Sequence, residues 1–214
     1  MSRKKKFKRI LLCALLITLP LLSMNNIIES KSMYEDNMVE MCTNDSLYGL
    51  DSVMLYKMTQ DFKKDSIKNE LINETDRYIS SITKKAHNSL PRFIVENALV
   101  YNIDIMFMLA QTQIETTFGT AGAGRETSRR SLFGIAVKKY ADYENAVIDY
   151  CETLKKWYLT RGRTEQHLMN NYTTTRGARY AGNPNYEKEL KNTYNRISRN
   201  TRLKNLQEEY KMID

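Results

Sequence analysis

Residues 105–115 read IMFMLAQTQIE, and the first six of them are all apolar. A helix that is apolar nearly all round must be enclosed by other elements, so we expect this segment to be the central helix of the fold. Asp104 precedes the run and is a residue type that caps helix N termini. Glu115 ends the run and is soon followed by Gly119, the first glycine of a loop. The sequence therefore predicts a carboxyl group where a buried helix meets a glycine-rich loop.

Apolar residues recur at helical spacing on both sides of this central helix. Further helices are predicted at residues 91–101, 142–159 and 164–171, and Asn183-Pro184 is a typical start for a last one. No stretch of the chain alternates apolar and polar residues with the period of a strand. We therefore predict an all-α protein.

The N-terminal part of the chain is predicted to be organised differently. Residues 31–52 are polar and without pattern, whereas residues 53–62 and 65–85 have the spacing of two amphipathic helices. We interpret residues 31–88 as a spacer or packing extension. A chain that starts near Lys85 is then expected to retain most of its activity.

The first thirty residues are typical of a targeting segment. Six Lys and Arg residues lie within residues 1–9, and residues 10–22 are almost entirely apolar. A charged start followed by a short apolar run is characteristic of a signal peptide, and the run is shorter than the roughly 20 residues of a spanning helix. We predict that residues 1–30 are a signal peptide or an N-terminal anchor. The protein is then exported to the periplasm or cell envelope, and residues 10–22 are its one contact with a membrane.

The positive charge of the chain does not predict nucleic-acid binding. The net charge is +8, but from residue 31 onward there are 27 basic and 24 acidic residues, which leaves a net charge of only +3. No metal or cofactor is predicted, because His87 and His167 are far apart and neither has metal-ligand spacing to a cysteine. Cys42 and Cys151 remain after the leader, and outside the cytoplasm they could pair or stay separate thiols.

Glu115 is the residue best suited to chemistry. Burial beside an apolar helix disfavours the charged carboxylate and raises its pKa, as a general acid working near neutral pH requires. Acid-catalysed cleavage of a glycosidic bond is the natural use of such a group. The alternative is a glutamate at a helix end that is exposed to water, and the local pattern leaves both interpretations open.

Four motifs extend this reasoning by resemblance. Residues 110–119 (AQTQIETTFG) resemble the AQxxxES/T-aromatic-G signature of bacterial glucosaminidases, and residues 131–135 (SLFGI) are similar to the NLFGI of that family. Residues 140–143 (YADY), followed by Ala146, resemble its step into the next helix, and residues 180–186 (YAGNPNY) resemble its YATDPxY. The chain thus resembles the cell-wall hydrolases called mannosyl-glycoprotein endo-β-N-acetylglucosaminidase-like, over roughly residues 90–197.

This resemblance implies a lysozyme-like α fold with a sugar-binding groove, formed by a catalytic domain at residues 89–200 and followed by a charged helical tail at 201–214. It implies cleavage of peptidoglycan glycan strands beside N-acetylglucosamine. By position, Glu115 resembles the catalytic acid and Tyr180 the tyrosine near the substrate's N-acetyl group. The remaining residues expected along the groove are Phe118, Phe133, Gly134, Tyr143 and Tyr186.

The chain departs from the family pattern where a second acid is usual. Only residues 136–139 separate the SLFGI motif from Tyr140, and they include no carboxylate. Candidates for the second acid are Glu126, Asp142 and Glu144, or the substrate's own N-acetyl group acts instead, held by Tyr180. Alternative functions are a lytic transglycosylase and a non-catalytic glycan-binding envelope protein.

Overall fold

The computed structural model describes residues 52–125, 130–134 and 138–213. The leader, Cys42 and Glu126 lie outside these residues. The described helices are α1 (Ser52–Ile82), α2 (Leu90–Val100), α3 (Ile105–Thr116), α4 (Gly122–Arg125), α5 (Tyr143–Thr153) with a π-helical turn (Leu154–Tyr158), α6 (Glu165–Leu168), α7 (Tyr186–Ile197) and α8 (Thr201–Met212). In these ranges the only extended pairing is one antiparallel bridge between Thr173 and Arg179. The all-α prediction is therefore confirmed for the described chain.

Helix α3 is the centre of the fold, as its sequence predicts. Residues 105–112 are all buried, and the helix packs against α2 and α7. The Asp104 carboxylate accepts hydrogen bonds from the backbone N–H groups of Met106 and Phe107, which fixes the start of the helix. The N–H of Ile105 donates to Oε1 of Gln207 at 2.9 Å. These three hydrogen bonds supply partners for N–H groups that the first helical turn leaves unpaired.

Helix α1 corrects the prediction of two separate helices at residues 53–62 and 65–85. It is one continuous helix rather than two, because Lys63 and Lys64 at the predicted break are good helix formers and no glycine or proline interrupts them. Residues from Met58 onward belong to one compact unit with the rest of the described chain. Leu71 and Ile79 are buried in the same core as α3. This part of the segment is therefore a packing element, and a chain that starts near residue 85 would leave that core open.

Helix α8 likewise changes the interpretation of the charged tail. The tail is helical, as predicted, but Leu203 and Leu206 are buried and Gln207 caps α3. The C-terminal residues thus contribute to the core. Across the described ranges, no helix combines the length and apolar composition needed to cross a bilayer.

Cys151 lies on α5 and is fully buried, with its Sγ 4.0 Å from Sδ of Met108. Burial raises the pKa of the Cys151 thiol to about 12, so the thiolate is scarce at neutral pH. Cys42 is outside the described residues, so a disulfide with Cys151 and two separate thiols both stay as the alternatives that the sequence allows.

Candidate active site

Glu115 occupies the last turn of α3 and is half-buried. Three consecutive residues with positive φ follow soon after it, Thr117, Phe118 and Gly119, and they turn the chain sharply away from the helix. The side chain of Thr116 holds this turn by accepting a hydrogen bond from the N–H of Gly119 at 3.0 Å. The predicted junction of buried helix and glycine loop is therefore present, with the carboxyl group at its edge.

The Glu115 carboxyl group has two opposing influences on its pKa. Burial is the larger one and raises the pKa, because removal from water disfavours the charged form. The smaller one is the hydroxyl of Tyr186, which donates to Oε1 at 2.5 Å and lowers the pKa by stabilising the carboxylate. Burial also raises the pKa of Tyr186 far above its ordinary value, so this hydroxyl remains a donor. The net pKa of Glu115 is raised, as general acid catalysis requires.

Gly134 lies directly against the other side of the same carboxyl group. A Cβ at this position would be 2.1 Å from Oε2 of Glu115, and the backbone φ of Gly134 is +71°. Only glycine allows both the close approach and this φ without strain. The loop that carries Gly134 is fastened to α3 by a 2.8 Å hydrogen bond from the Thr116 hydroxyl to the carbonyl of Leu132. The SLFGI motif therefore positions a backbone surface for the acid.

A wall of tyrosine rings stands beside Glu115. Tyr172 and Tyr180 are stacked with centroids 4.3 Å apart, at the base of a short hairpin in which the N–H of Tyr180 donates to the carbonyl of Tyr172. The Tyr186 ring lies 5.6 Å from that of Tyr180. The hydroxyl of Tyr180 donates to the carbonyl of Phe133, whereas the hydroxyl of Tyr186 contacts the acid. The tyrosine in contact with Glu115 is thus Tyr186, and Tyr180 anchors the loop.

Gln111 was not among the expected site residues, although it lies one helical turn before Glu115. It is fully buried, and its Oε1 accepts hydrogen bonds from the hydroxyls of Tyr150 and Tyr172. Its Nε2 has no hydrogen-bond partner within the described ranges. The sequence signal for this role, a buried acceptor for two tyrosine hydroxyls, was a polar residue four positions before the acid.

Phe118 and Phe133 are both 1% exposed. Phe133 stacks on Tyr150 at 3.7 Å between centroids, and Phe118 packs edge-on against Tyr78 of α1. The expectation that these two rings line the groove therefore needs correction, because their faces are already covered by protein. Both rings support the site from within the core.

Tyr143 and two candidate second acids lie at the start of α5. The Tyr143 hydroxyl donates to the carbonyl of Gly124, so it ties α5 to the glycine loop. The Asp142 carboxylate caps α5 by accepting from the N–H of Asn145 at 2.8 Å. Glu144 is exposed in the first turn of that helix. A second catalytic acid at Asp142, Glu144 or Glu126 stays a prediction.

The comparisons with known proteins agree with this geometry. The profile of the glucosaminidase family, described as mannosyl-glycoprotein endo-β-N-acetylglucosaminidase, matches residues 92–199. A search of curated proteins finds no match. The matched range includes α3, the Gly134 loop and the tyrosine wall, which are the parts that surround Glu115. This chain therefore belongs to the glucosaminidase family and is a peptidoglycan hydrolase of the endo-β-N-acetylglucosaminidase type.

Proposed function

We propose that Glu115 is the general acid with which this hydrolase breaks the glycosidic bond beside N-acetylglucosamine. The observation that carries the proposal is the half-buried carboxyl group held between Tyr186 and Gly134. Burial raises the pKa of Glu115 and so favours its protonated form, and that proton is delivered to the oxygen of the leaving sugar. The hydrogen bond from Tyr186 then stabilises the carboxylate as it forms.

The second catalytic group in this proposal is the substrate's own N-acetyl group. Its carbonyl oxygen attacks the anomeric carbon as the bond to the leaving oxygen breaks, and water later opens the cyclic intermediate and returns a proton to the Glu115 carboxylate. Two observations favour this route over a second acid at Asp142 or Glu144: Asp142 is engaged as a helix cap, and Glu144 is exposed. The tyrosine wall of Tyr172, Tyr180 and Tyr186 supplies the aromatic surface beside the acid.

Replacement of the acid by its isosteric amide tests the proposal. General acid catalysis contributes about 10²–10⁴-fold, so Glu115→Gln is expected to reduce the release of fragments by that order, or roughly 3–5 kcal/mol of barrier. Glu189→Gln, at an exposed position in the first turn of α7, is the matched control, and its activity should remain close to that of the wild type. A folded Glu115→Gln protein within a few-fold of the wild type would refute the assignment.

The chemical ends of the fragments distinguish the remaining alternatives. Mass spectrometry of fragments from purified peptidoglycan should show reducing-end N-acetylglucosamine. Anhydro-muramic ends would instead indicate a lytic transglycosylase, in which a sugar hydroxyl makes the attack. Binding without any release would indicate a non-catalytic glycan-binding protein.

We also propose that residues 1–30 direct the chain out of the cytoplasm. Its peptidoglycan substrate is located outside that compartment. The charged start and the apolar run at residues 10–22 support this, and either cleavage or retention as an anchor is compatible with them. Fractionation of cells expressing the full chain should recover it in the envelope or periplasm. Recovery of soluble cytoplasmic protein with an intact N terminus would overturn this proposal.

A further inference from the structure

One of the basic segments outside the leader includes Tyr172 of the tyrosine wall. Residues 155–179 contain six Lys and Arg residues and a single acidic residue, Glu165, which gives this segment a net charge of +5. The whole chain from residue 31 onward has a net charge of only +3. This segment of the catalytic domain is therefore strongly basic, while the rest of the chain after the leader has a slight excess of acidic residues.

This segment includes an exposed aromatic ring with two cations. Trp157 is 38% exposed, with Nζ of Lys156 at 5.1 Å and the guanidinium carbon of Arg176 at 5.7 Å from its ring centroid. The N–H of Thr175 donates to the carbonyl of Trp157, which attaches the tip of the tyrosine hairpin to the π-helical turn. The indole and both cations are therefore held together on one surface.

A depression of about 620 Å³ continues this surface at Arg161, and no carboxylate lines it. Arg161 and Arg163 are on its wall together with His167, while the other lining residues are uncharged. Arg163 is engaged in the fold through hydrogen bonds to the carbonyls of Thr173 and Asn171. Lys156, Arg161 and Arg176 form no ion pair with any carboxylate of the described residues, in contrast to Arg179, which pairs with Glu187 at 2.8 Å.

The basic surface is connected to the active site by the hairpin. Tyr172 and Tyr180 form the base of the hairpin and belong to the tyrosine wall, whereas Arg176 is at its tip. At about 3.3 Å per residue, the tip is at most roughly 13 Å along the chain from the base. A group attached to a glycan strand in the site could therefore reach this surface.

We propose that the basic surface formed by Lys156, Trp157, Arg161 and Arg176 binds the carboxylates of the peptides attached to the peptidoglycan glycan strand. Arginine donates paired hydrogen bonds that match a carboxylate, and lysine adds a point charge. The exposed indole offers an apolar face for the side chains of the same peptides. The proposal rests on the proposed function, and it makes this enzyme selective for strands that still carry their peptides.

The test compares two substrates with two full-length triple variants. The first variant is Lys156→Gln, Arg161→Gln and Arg176→Gln, and the control removes the same charge from exposed positions elsewhere, by Lys85→Gln, Arg92→Gln and Arg199→Gln. The substrates are peptide-bearing glycan strands and the same strands after an amidase has removed the peptides.

The first variant is expected to raise KM at least fivefold on peptide-bearing strands and to leave kcat unchanged. On stripped strands both variants should match the wild type, and added salt should reduce the preference of the wild type for peptides. Equal KM values for the first variant and the wild type on peptide-bearing strands would overturn the inference.

A binding measurement separates this inference from the proposed function. If Glu115→Gln keeps its activity, the proposed acid is wrong. Co-sedimentation of the two triple variants with peptide-bearing strands still tests the surface, because it measures binding and not cleavage. Binding that the first triple variant loses and the control retains supports the surface, and equal binding by both refutes it.

Discussion

Replacement of Gly134 by alanine should separate the position of the acid from the stability of the fold. The new Cβ would be 2.1 Å from Oε2 and 2.6 Å from Cδ of Glu115, more than roughly 1 Å short of van der Waals contact. The obstructing atoms are the end of a flexible side chain, so the carboxyl group is expected to move while the backbone stays in place. A displacement of about 1 Å in a catalytic group can cost about 10²-fold in rate.

The positive φ of Gly134 adds a separate cost. An alanine in left-handed backbone is less stable by roughly 1–2 kcal/mol. Gly162→Ala is the matched control, because Gly162 has φ of +75° and no atom within 4 Å of the added Cβ. Both variants should lose about the same free energy of unfolding in urea, but only Gly134→Ala should lose about 10²-fold in kcat/KM for peptidoglycan strands. Equal activities of the two variants would refute the argument that Gly134 positions the acid.

Two further predictions concern the tyrosine contact and helix α1. Tyr186→Phe removes the hydrogen bond that lowers the pKa of Glu115, so that pKa should rise further. Because the acid must be protonated to act, the alkaline limb of the pH–rate profile should move to higher pH. Movement to lower pH would contradict this. Leu71→Ala empties a fully buried position of α1 and should cost about 2–5 kcal/mol in urea unfolding, whereas Met54→Ala, 52% exposed on the same helix, should change the free energy by only about 0.5 kcal/mol. Similar small effects for both would return α1 to the role of a separable spacer.

The local features of the site were predictable because short-range rules govern them. The apolar run after Asp104 defines a buried helix and its cap, and both are found where the sequence places them. Glu115 at the end of that run, followed by Gly119, was recognisable as a candidate acid. Gly134 was identified by its place in a motif. The physical reason for a glycine at this position is the close approach of the Glu115 carboxyl group.

The separate roles of Tyr180 and Tyr186 could not be predicted from such short-range rules. Tyr180 and Tyr186 lie in one motif six residues apart, and both can donate a hydrogen bond. The choice between them depends on how α7 meets α3, across 71 residues of sequence between Glu115 and Tyr186. Composition and spacing contain no information about that orientation.

The sequence by itself determined the helical class and the central helix, because helix periodicity and capping act within a few residues, and its motifs made Glu115 the candidate acid. Only the tertiary structure decided what surrounds that acid. It placed the hydroxyl of Tyr186 on Glu115, enclosed α1 in the core through Leu71, and brought Gln207 to the start of α3 from 102 residues away. These contacts depend on the packing of many side chains at once, and each contributes too little on its own to leave a pattern in the sequence.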